Sequence, residues 1–416
     1  MTMPTRPEFS SEPPGEQFRG DATGVPTAYM AGYQRAAGLN PGLARRYVDH
    51  AQIVDPPADD AIRALAHLDR AEVHELIRDG LLRSPRALAM APTPVRRFFE
   101  EAAEPPRWLD REKFQAGREA FHRHSQLFMA AFFAVNVRQM ATLISKTFFV
   151  MGWSEHEHVI RGSRRNARHF LEVMLPGSLE DHGDAWRQSI QIRLAHAQVR
   201  RIVRASGEWD EASYGAPLSA AHLGLGSASF SAGILRHVQR LGPSLDSEAR
   251  ASYMQLWRYV SWLVGTPEAL LFAGDEAETA RFYDLALVCE PPPGDDATRL
   301  THSLVEAVTT IAGKTSSVAR RSLQNQLYRV TRALIGDEVG DQLSFPSQQT
   351  IGLLPVLRGL SRLRELLRRL APGMAQRLRA RSLVTLLEPL SLNDYAFRLP
   401  DEVAATPTAS QRARRV

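Results

Sequence analysis

The sequence contains a single cysteine and very little lysine. Cys289 stands alone among 416 residues, which excludes a disulfide within the chain, a cysteine-based zinc site and covalent haem attachment through C-x-x-C-H. Lys113, Lys146 and Lys314 are the only lysines, so arginine supplies most of the 51 basic residues. The net charge of +5 is modest for this length and is not typical of proteins that bind nucleic acid. We therefore expect no nucleic-acid partner.

Long apolar runs are also missing. The longest run, residues 127–137, includes Asn136 and would span only about half of a bilayer. Residues 1–8 lack the apolar core of a signal peptide. From these two absences we expect a cytoplasmic protein. The composition, 44% apolar and 23% charged, is that of a globular chain with a sizeable core.

Alternation with a period of two residues, which is typical of strands, is almost absent, whereas apolar residues at helical spacing occur throughout. We therefore predict an all-α protein with a globin-like multi-helix bundle. We divide it into a flexible arm over residues 1–27, a helical extension over 28–90, a core over 91–340, and C-terminal basic amphipathic helices with a tail over 341–416.

Several segments carry local signals for helices. The most apolar helices are predicted between Asp110 and Gly152. Asp69 is a candidate N-cap of a short helix, and Gly80 is its candidate end. A helix of small residues is predicted from Ala220 to Ala232, where Gly, Ala and Ser would let another helix or a flat ligand approach the backbone.

The stretch Trp186–Arg201 carries the most informative pattern. Arg193, His196 and Arg200 stand at i, i+3 and i+7, so they share one face of a helix. A histidine beside two fixed cations is disfavoured as a cation, so we expect it to be neutral near pH 7. A neutral imidazole is a metal ligand and guanidinium groups bind carboxylates, as the iron and the propionates of haem b require. The alternative is a solvated arginine-rich face with a hydrogen-bonded histidine.

Two nucleotide-binding patterns are incomplete. The stretch Ala312–Thr315 resembles the end of a phosphate-binding loop, but Val308 occupies the position of the first glycine. The stretch Gly224–Gly226 begins like a dinucleotide fingerprint, but Ser229 replaces the third glycine and no strand precedes it. We therefore predict neither site.

Two histidine pairs have a metal-like composition. His122 and His124 form one pair, and His156 and His158 form the other. Residues two apart on a helix point in different directions, so either pair would need further ligands from elsewhere to bind a metal. The alternative is a pair of solvated polar faces. No G-x-S-x-G or cysteine–histidine signature of a nucleophile is present.

Arginine and leucine are interleaved near the C-terminus. Such a basic amphipathic region is suited to peripheral contact with a membrane surface. The alternative is a helix that packs on the core through its leucines, and the spread of the arginines around the helix favours it. The arginines are Arg358, Arg362, Arg364, Arg368, Arg369, Arg377, Arg379 and Arg381.

Four stretches, taken in order over about residues 90–335, give the sequence a family resemblance. It resembles the latex-clearing-protein (rubber oxygenase) and MpaB-type oxygenase family. The stretches are Pro106–Asp110 with Phe121–His124; Arg164–Leu171 followed by Trp186 and Arg193-x-x-His196-x-x-x-Arg200; Gly215–Pro217 with Leu225-Gly226 and Phe230-Ser231; and Leu256–Val260 with Gly265–Leu270.

The resemblance implies an all-α bundle that encloses a non-covalently bound haem b. It implies that His196 is the proximal iron ligand and that Arg193 and Arg200 accompany it in binding the cofactor. The small-residue helix from Ala220 to Ala232 would then lie flat against the porphyrin, and we expect Ser227 to contact the cofactor.

The resemblance also places the helix Arg161–Leu175 on the opposite, distal side of the haem. Where the rubber oxygenases carry a Lys-Thr pair, this sequence has Arg165-Asn166. An arginine is always protonated and is a poor iron ligand. We therefore expect Arg164, Arg165 and Asn166 to be catalytic as hydrogen-bond donors to dioxygen. The family's distal glutamate has no clear equivalent, and Lys146 falls near its position.

The sequence thus favours a haem b-dependent oxygenase that uses dioxygen to oxidise or cleave a hydrophobic, unsaturated substrate, either a small molecule or a polymer. One alternative is a haem protein with a sensor or peroxidase-like role. A second alternative is a helical membrane-surface protein without haem.

Overall fold

The computed structural model describes residues 24–153, 156–180, 182–370 and 399. Every regular element within these ranges is a helix, and none is a strand. The all-α prediction is therefore confirmed, whereas the globin-like arrangement stays a prediction. Most of the predicted N-terminal arm, and residues 371–398 and 400–416 of the predicted C-terminal basic helices and tail, lie outside the described residues.

The helices follow one another through short connections. A π-helical segment, Ser229–Gly233, joins two of them without a break. In chain order the α-helices are α1 Met30–Leu39, α2 Pro41–His50, α3 Pro56–Leu65, α4 Arg70–Leu81, α5 Pro85–Met90, α6 Thr93–Ala103, α7 Gln115–Met140, α8 Ile144–Val150, α9 His156–Val173, α10 Asp184–Ala205, α11 Glu211–Tyr214, α12 Ala220–Ala228, α13 Ile234–Leu241, α14 Ser247–Leu263, α15 Glu276–Cys289, α16 Asp295–Ile311, α17 Ser317–Ile335, α18 Asp337–Gln342 and α19 Leu353–Leu370.

Helix α4 shows how local sequence and packing each set a helix end. Asp69 caps it as predicted, in a capping box in which its side chain accepts from the amide of Glu72 and Glu72 reaches back. Gly80 does not end the helix, which runs on to Leu81. A Cβ at Gly80 would lie 2.3 Å from the Phe99 ring, so this glycine permits a close approach instead.

Helices α7 and α8 supply the apolar centre predicted between residues 110 and 152. Helix α7 is kinked at His124, where φ is −128°. It crosses α14 closely at Gly117, whose amide donates to Ser252 Oγ at 2.7 Å. Among the described residues no single helix is long and apolar enough to cross a membrane. The stretches Arg111–Met140 and Ile144–Val150 meet that criterion only together, across a bend of 76°.

The helices of the predicted N-terminal extension pack into the same molecule as the core. Helices α1 and α2 lie on α15, and a Cβ at Gly32 would meet the Cys289 carbonyl oxygen at 2.2 Å. Helix α3 packs on α6 and α10 and adds Ala58, Ile62 and Leu65 to the main hydrophobic cluster. The iron-ligand candidate on α10 therefore has the N-terminal extension as a direct neighbour.

Helix α19 contains the described part of the predicted basic C-terminal region. Leu354 and Leu357 pack against the protein, as the packed alternative predicts. Val356, Leu360 and Leu363 are exposed. Peripheral membrane contact through this region stays a prediction.

Candidate active site around His196

Helix α10 forms the first wall of the candidate site. Neither glycine nor proline interrupts it, and Asp184 lies in its first turn, where a carboxylate stabilises the helix dipole. The helix predicted over residues 186–201 is confirmed and extends slightly at both ends. Ile190, Leu194 and Ala197 are fully buried in the main hydrophobic cluster, so their burial fixes which face of α10 points inward.

His196 is a neutral histidine that lies deep in the fold and still has accessible side-chain surface. Its pKa is lowered to about 3, mainly by burial and also by Arg200 and Arg165, whereas Asp55 acts in the opposite direction. Its Nδ1 is buried and has no hydrogen-bond partner within the described residues. The predicted neutrality is confirmed, with burial rather than the flanking cations as its main cause. A deep side chain with accessible surface indicates a cavity.

Arg193 and Arg200 are both paired with carboxylates of the chain itself. Arg193 donates to both oxygens of Asp55, with Nε–Oδ2 and Nη2–Oδ1 distances of 2.5 and 2.7 Å. Arg200 donates to Asp59 Oδ1 through Nε at 2.8 Å and Nη2 at 2.6 Å. The two arginine side chains are only 2% and 1% exposed. The structure therefore gives them internal partners, and cofactor binding by either guanidinium stays a prediction.

Helix α9 places the predicted polar pair on another wall. Arg165 has an exposed side chain, and burial of its surroundings lowers its pKa. It also acts electrostatically on His196. Asn166 donates through Nδ2 to Asn136 Oδ1 at 2.7 Å. Arg165 and Asn166 are thus brought towards His196 and α7, respectively.

Arg164 has a different environment from its neighbour. Its Nε is buried and has no partner in the part of the chain that the structure describes. Neither Arg164 nor Arg165 forms an ion pair with a carboxylate of the described residues. Within the described residues, Arg164 and Arg165 on α9 therefore have no counter-charge, whereas Arg193 and Arg200 on α10 are neutralised by Asp55 and Asp59.

Helix α12 and the π-helical segment form a wall of small and apolar residues. Leu223, Gly226 and Phe230 are partly exposed at i, i+3 and i+7, so they form one accessible stripe. A Cβ at Gly226 would meet nothing within 4 Å, whereas one at Gly224 would strike Leu270 at 2.7 Å. The open space therefore lies on the Gly226 side. Ser227 is buried beside the stripe, and its carbonyl accepts from Ser231 Oγ at 2.6 Å.

An aromatic cluster connects these walls. The Phe132 ring of α7 lies 4.4 Å from Phe170 of α9 and 5.8 Å from Phe230 of the π-helical segment. Trp257 of α14 stacks on Phe170 and Phe230 at 5.6 and 5.4 Å. Asn136 lies one helical turn after Phe132 and donates to its carbonyl oxygen at 2.7 Å. The accessible stripe and the polar pair of α9 therefore converge on one face of α7.

The donor set suits a metal held in a macrocycle rather than one held by side chains alone. No group of three or more His, Cys, Asp or Glu side chains within the described ranges could hold a metal ion. A porphyrin supplies four nitrogen ligands and needs only an axial ligand from the protein. A neutral imidazole with an unpartnered nitrogen meets that need, and the Gly226 wall leaves room for a flat ligand.

Lys146 does not face the polar pair as a base would. Its Nζ lies 4.9 Å from the centroid of the Tyr214 ring, in a cation–π contact. The histidine pairs also find ordinary partners. His122 Nε2 lies 3.0 Å from the Met174 carbonyl oxygen, and His156 lies 3.9 Å from Glu306. In the described residues neither pair belongs to a metal-binding group.

Two features of this site were not predicted from the sequence, namely the role of Asn136 and the pairing of Asp55 and Asp59 with the arginines of α10. Asn136 had a visible signal, because it is an isolated polar residue in the most apolar run of the chain. Asp55 and Asp59 had none, because their partners lie 138 and 141 residues away. Elsewhere in the described residues, His237 resembles His196, because its Nδ1 is buried without a partner and burial is the main cause that lowers its pKa to about 3. Only 5% of His237 is accessible, so it is sealed in the core.

The part of the chain that the structure describes is all-α, and it holds a neutral histidine on α10 that keeps accessible surface within the fold. The chain belongs to the ER-bound oxygenase mpaB/B'/Rubber oxygenase family, whose catalytic-domain model matches residues 118–369. The predicted family is therefore confirmed, and with it membership in a group of oxygenases. None of the curated proteins matches the chain.

A solved structure supports the same fold. It is described as "Structure of Latex Clearing Protein LCP in the closed state", and it is similar to this chain with a TM-score of 0.58. The alignment covers 85% of this chain and 95% of that one, at 18% sequence identity. At this identity the similarity shows the arrangement of the helices, and it does not assign the chemistry of individual residues.

Proposed function

We propose that the chain binds haem b through His196 and uses dioxygen to oxidise a hydrophobic, unsaturated substrate. The observation that carries this proposal is the state of His196, which is a neutral, deeply placed imidazole with an unpartnered Nδ1 and accessible surface. A neutral imidazole is the form that ligates iron. Bound haem would supply an iron centre at which dioxygen is activated.

The polar side chains of α9 would provide hydrogen bonds and charge on the side facing His196. Arg165 is a fixed cation without a recorded carboxylate partner among the described residues, so it is available to donate to dioxygen or to a carboxylate of the cofactor. Asn136 holds Asn166 in one orientation. Arg164 adds an unpartnered buried Nε on the same helix. Together these groups make the recess electropositive without offering a second iron ligand.

The apolar stripe supports a hydrophobic substrate. Leu223 and Phe230 present accessible apolar surface, and Phe132 and Trp257 lie directly behind Phe230. An apolar molecule gains roughly 25 cal/mol for each Å² of surface that such a wall removes from water. The lining supports a hydrophobic substrate, and the oxygenase family, whose name includes rubber, a polyene, supports an unsaturated one.

An absorption spectrum of the protein purified from haem-replete cells tests the proposal directly. The wild-type chain should show a Soret band, and His196→Ala should lose most of it. His237→Ala is the matched control, because His237 is equally neutral but is sealed in the core. Full retention of the Soret band in His196→Ala, or a colourless wild-type protein, would contradict haem binding through His196.

Oxygen consumption with squalene as a probe tests the oxygenase part separately. The haem-loaded protein should consume dioxygen in proportion to the squalene that is converted, and Phe230→Arg should reduce this by placing charge in the apolar stripe. A protein that binds haem but consumes no dioxygen with squalene or related polyenes would instead have the sensor or peroxidase-like role.

A further inference from the structure

A short segment at the start of α3 connects two walls of the candidate site. Its backbone binds the chain that leads into α12, since Ala216 N donates to Ala51 O and Ala220 N donates to Ile53 O, both at 2.8 Å. The approach is close, because a Cβ at Gly215 would lie 2.3 Å from the Ala51 carbonyl oxygen. The position of α12, and of its accessible stripe, is therefore coupled to residues 51–53.

The side chains of the same segment bind α10 on both sides of His196. Asp55 holds Arg193 three residues before the histidine, and Asp59 holds Arg200 four residues after it. Two points of attachment seven residues apart, about two helical turns, fix both the translation and the rotation of a helix. These contacts therefore set the orientation of His196, which lies between the two arginines.

Gly265, which follows the end of α14, packs against the ion pair of Asp55 and Arg193. A Cβ at Gly265 would lie 2.5 Å from Asp55 Oδ2 and 3.0 Å from Arg193 Nε, and the residue has a φ of +94°. Only glycine adopts this conformation readily and leaves the space that the pair occupies. The ion pair is thus enclosed by three elements, α3, α10 and the turn after α14.

We propose that residues 51–59 are a positioning element for the iron ligand, and that Asp55 and Asp59 are positioning residues. This inference rests on the proposed function of His196. The segment lies before residue 118, where the match to the oxygenase catalytic domain begins. The geometry of the recess is therefore set from outside the matched region, by contacts that orient the His196 helix and the Gly226 helix relative to each other.

The test uses the full chain with the variant Asp55→Asn + Arg193→Gln. The double substitution removes the ion pair without leaving an unpaired buried charge, which a single substitution would do. The double variant Arg250→Gln + Glu276→Gln is the matched control, because Arg250 and Glu276 form a two-bond pair between other elements, α14 and α15. Thermal unfolding first confirms that both variants are folded.

The first measurement is amide hydrogen exchange on the haem-free chain. Protection of residues 194–198 should fall by roughly tenfold or more in the double variant, because α10 opens locally once it is released at one end, and it should be unchanged in the control. Unchanged protection in the double variant overturns the attachment of α10 by this pair.

The second measurement is the rate at which bound haem is lost to a haem-scavenging apoprotein. We expect loss to be roughly tenfold faster in the double variant than in the wild type or the control, because contacts that orient a metal-ligating histidine affect metal affinity to this extent. Lower amide protection with unchanged haem loss and an unchanged ferric spectrum overturns the positioning role. A wild-type chain that takes up no haem overturns the proposed function, and the exchange result alone then decides whether the segment fixes α10.

Discussion

Asn166 donates a 2.7 Å hydrogen bond to Asn136, which lies in α7, the longest helix among the described residues. Asn136 in turn donates to the carbonyl oxygen of Phe132 at 2.7 Å, so its own amide orientation is fixed. The result is a polar connection between α7 and α9 within an aromatic environment. Buried polar groups of this kind are costly when they lose a partner, so this pair is open to a direct test.

Replacement of Asn136 should impair the reaction more than cofactor binding. Asn136→Ala removes the acceptor of Asn166, and we expect a loss of about 1–3 kcal/mol in stability because a partly buried amide is left unpaired. Oxygen consumption per haem should fall, while the Soret absorbance per protein should change little. Asn325→Ala, at an exposed position of α17, is the control. Unchanged oxygen consumption in Asn136→Ala would show that the orientation of Asn166 does not matter.

Substitution of Gly226 should change the stability of the fold and the affinity for haem in opposite directions. Gly226→Ala should stabilise the haem-free chain by about 0.5–1 kcal/mol, because alanine is the better helix former and its Cβ meets nothing within 4 Å. The same methyl group would enter the space proposed for the porphyrin, so haem affinity should fall. Gly359→Ala, in α19 and equally open, should alter neither haem affinity nor haem spectrum. A haem titration monitored at the Soret band, with urea unfolding of the haem-free chain, measures both effects. Equal haem affinity in Gly226→Ala would place the porphyrin elsewhere.

Arg165→Lys should create an additional iron ligand. Burial disfavours the cation at this position, as the lowered pKa of Arg165 shows, and an amine, unlike a guanidinium, can lose its proton there. The ferric absorption and electron paramagnetic resonance spectra should shift towards a six-coordinate, low-spin state. Arg161→Lys, at an exposed position on the same helix, should leave both spectra unchanged. A high-spin spectrum in Arg165→Lys would mean that residue 165 does not reach the iron.

His237 should make the fold sensitive to mild acid. Burial lowers its pKa to about 3 in the folded chain, whereas about 6.5 is usual for an unfolded chain. Below pH 6.5 the unfolded chain takes up a proton that the folded chain does not, so stability falls as the pH falls towards 3. Between pH 7 and 5 the loss from this residue is about 2 kcal/mol. Urea unfolding of His237→Gln at both pH values should show a pH effect that is smaller by this amount. An identical pH effect in the variant and the wild type would contradict the assignment.

The sequence alone predicts the features of the site that depend on local spacing. Helix α10 and the Asp69 cap follow from the residues of each segment itself, whereas the neutrality of His196 depends mainly on burial, which the spacing does not show. Long-range pairing is a different case. The partners of Arg193 and Arg200 lie 138 and 141 residues away, so the pattern could show two cations but not that both are neutralised.

Two further features have no local sequence signal. Helix α7 kinks at His124, without a proline or glycine at that position. The small-residue helix changes to π-helical geometry at Ser229–Gly233, where the wider turn rotates the residues that follow. Both depend on packing against neighbouring helices, including the contacts of Phe230 with Phe132 and Trp257. Tertiary packing therefore decides the shape of the recess, while helix propensity decides only which helices surround it.

The two ion pairs of α10 also define how the protein can be divided for experiments. A fragment that starts at residue 118, where the catalytic-domain match begins, would retain Arg193 and Arg200 but lose Asp55 and Asp59. The same fragment would lose α3, so both guanidinium groups would lack their counter-charges and the apolar face of α10 that packs on α3 would be exposed to water. The shortest fragment worth expressing therefore begins upstream of Ala51, and a shorter one should be recovered mainly as aggregate.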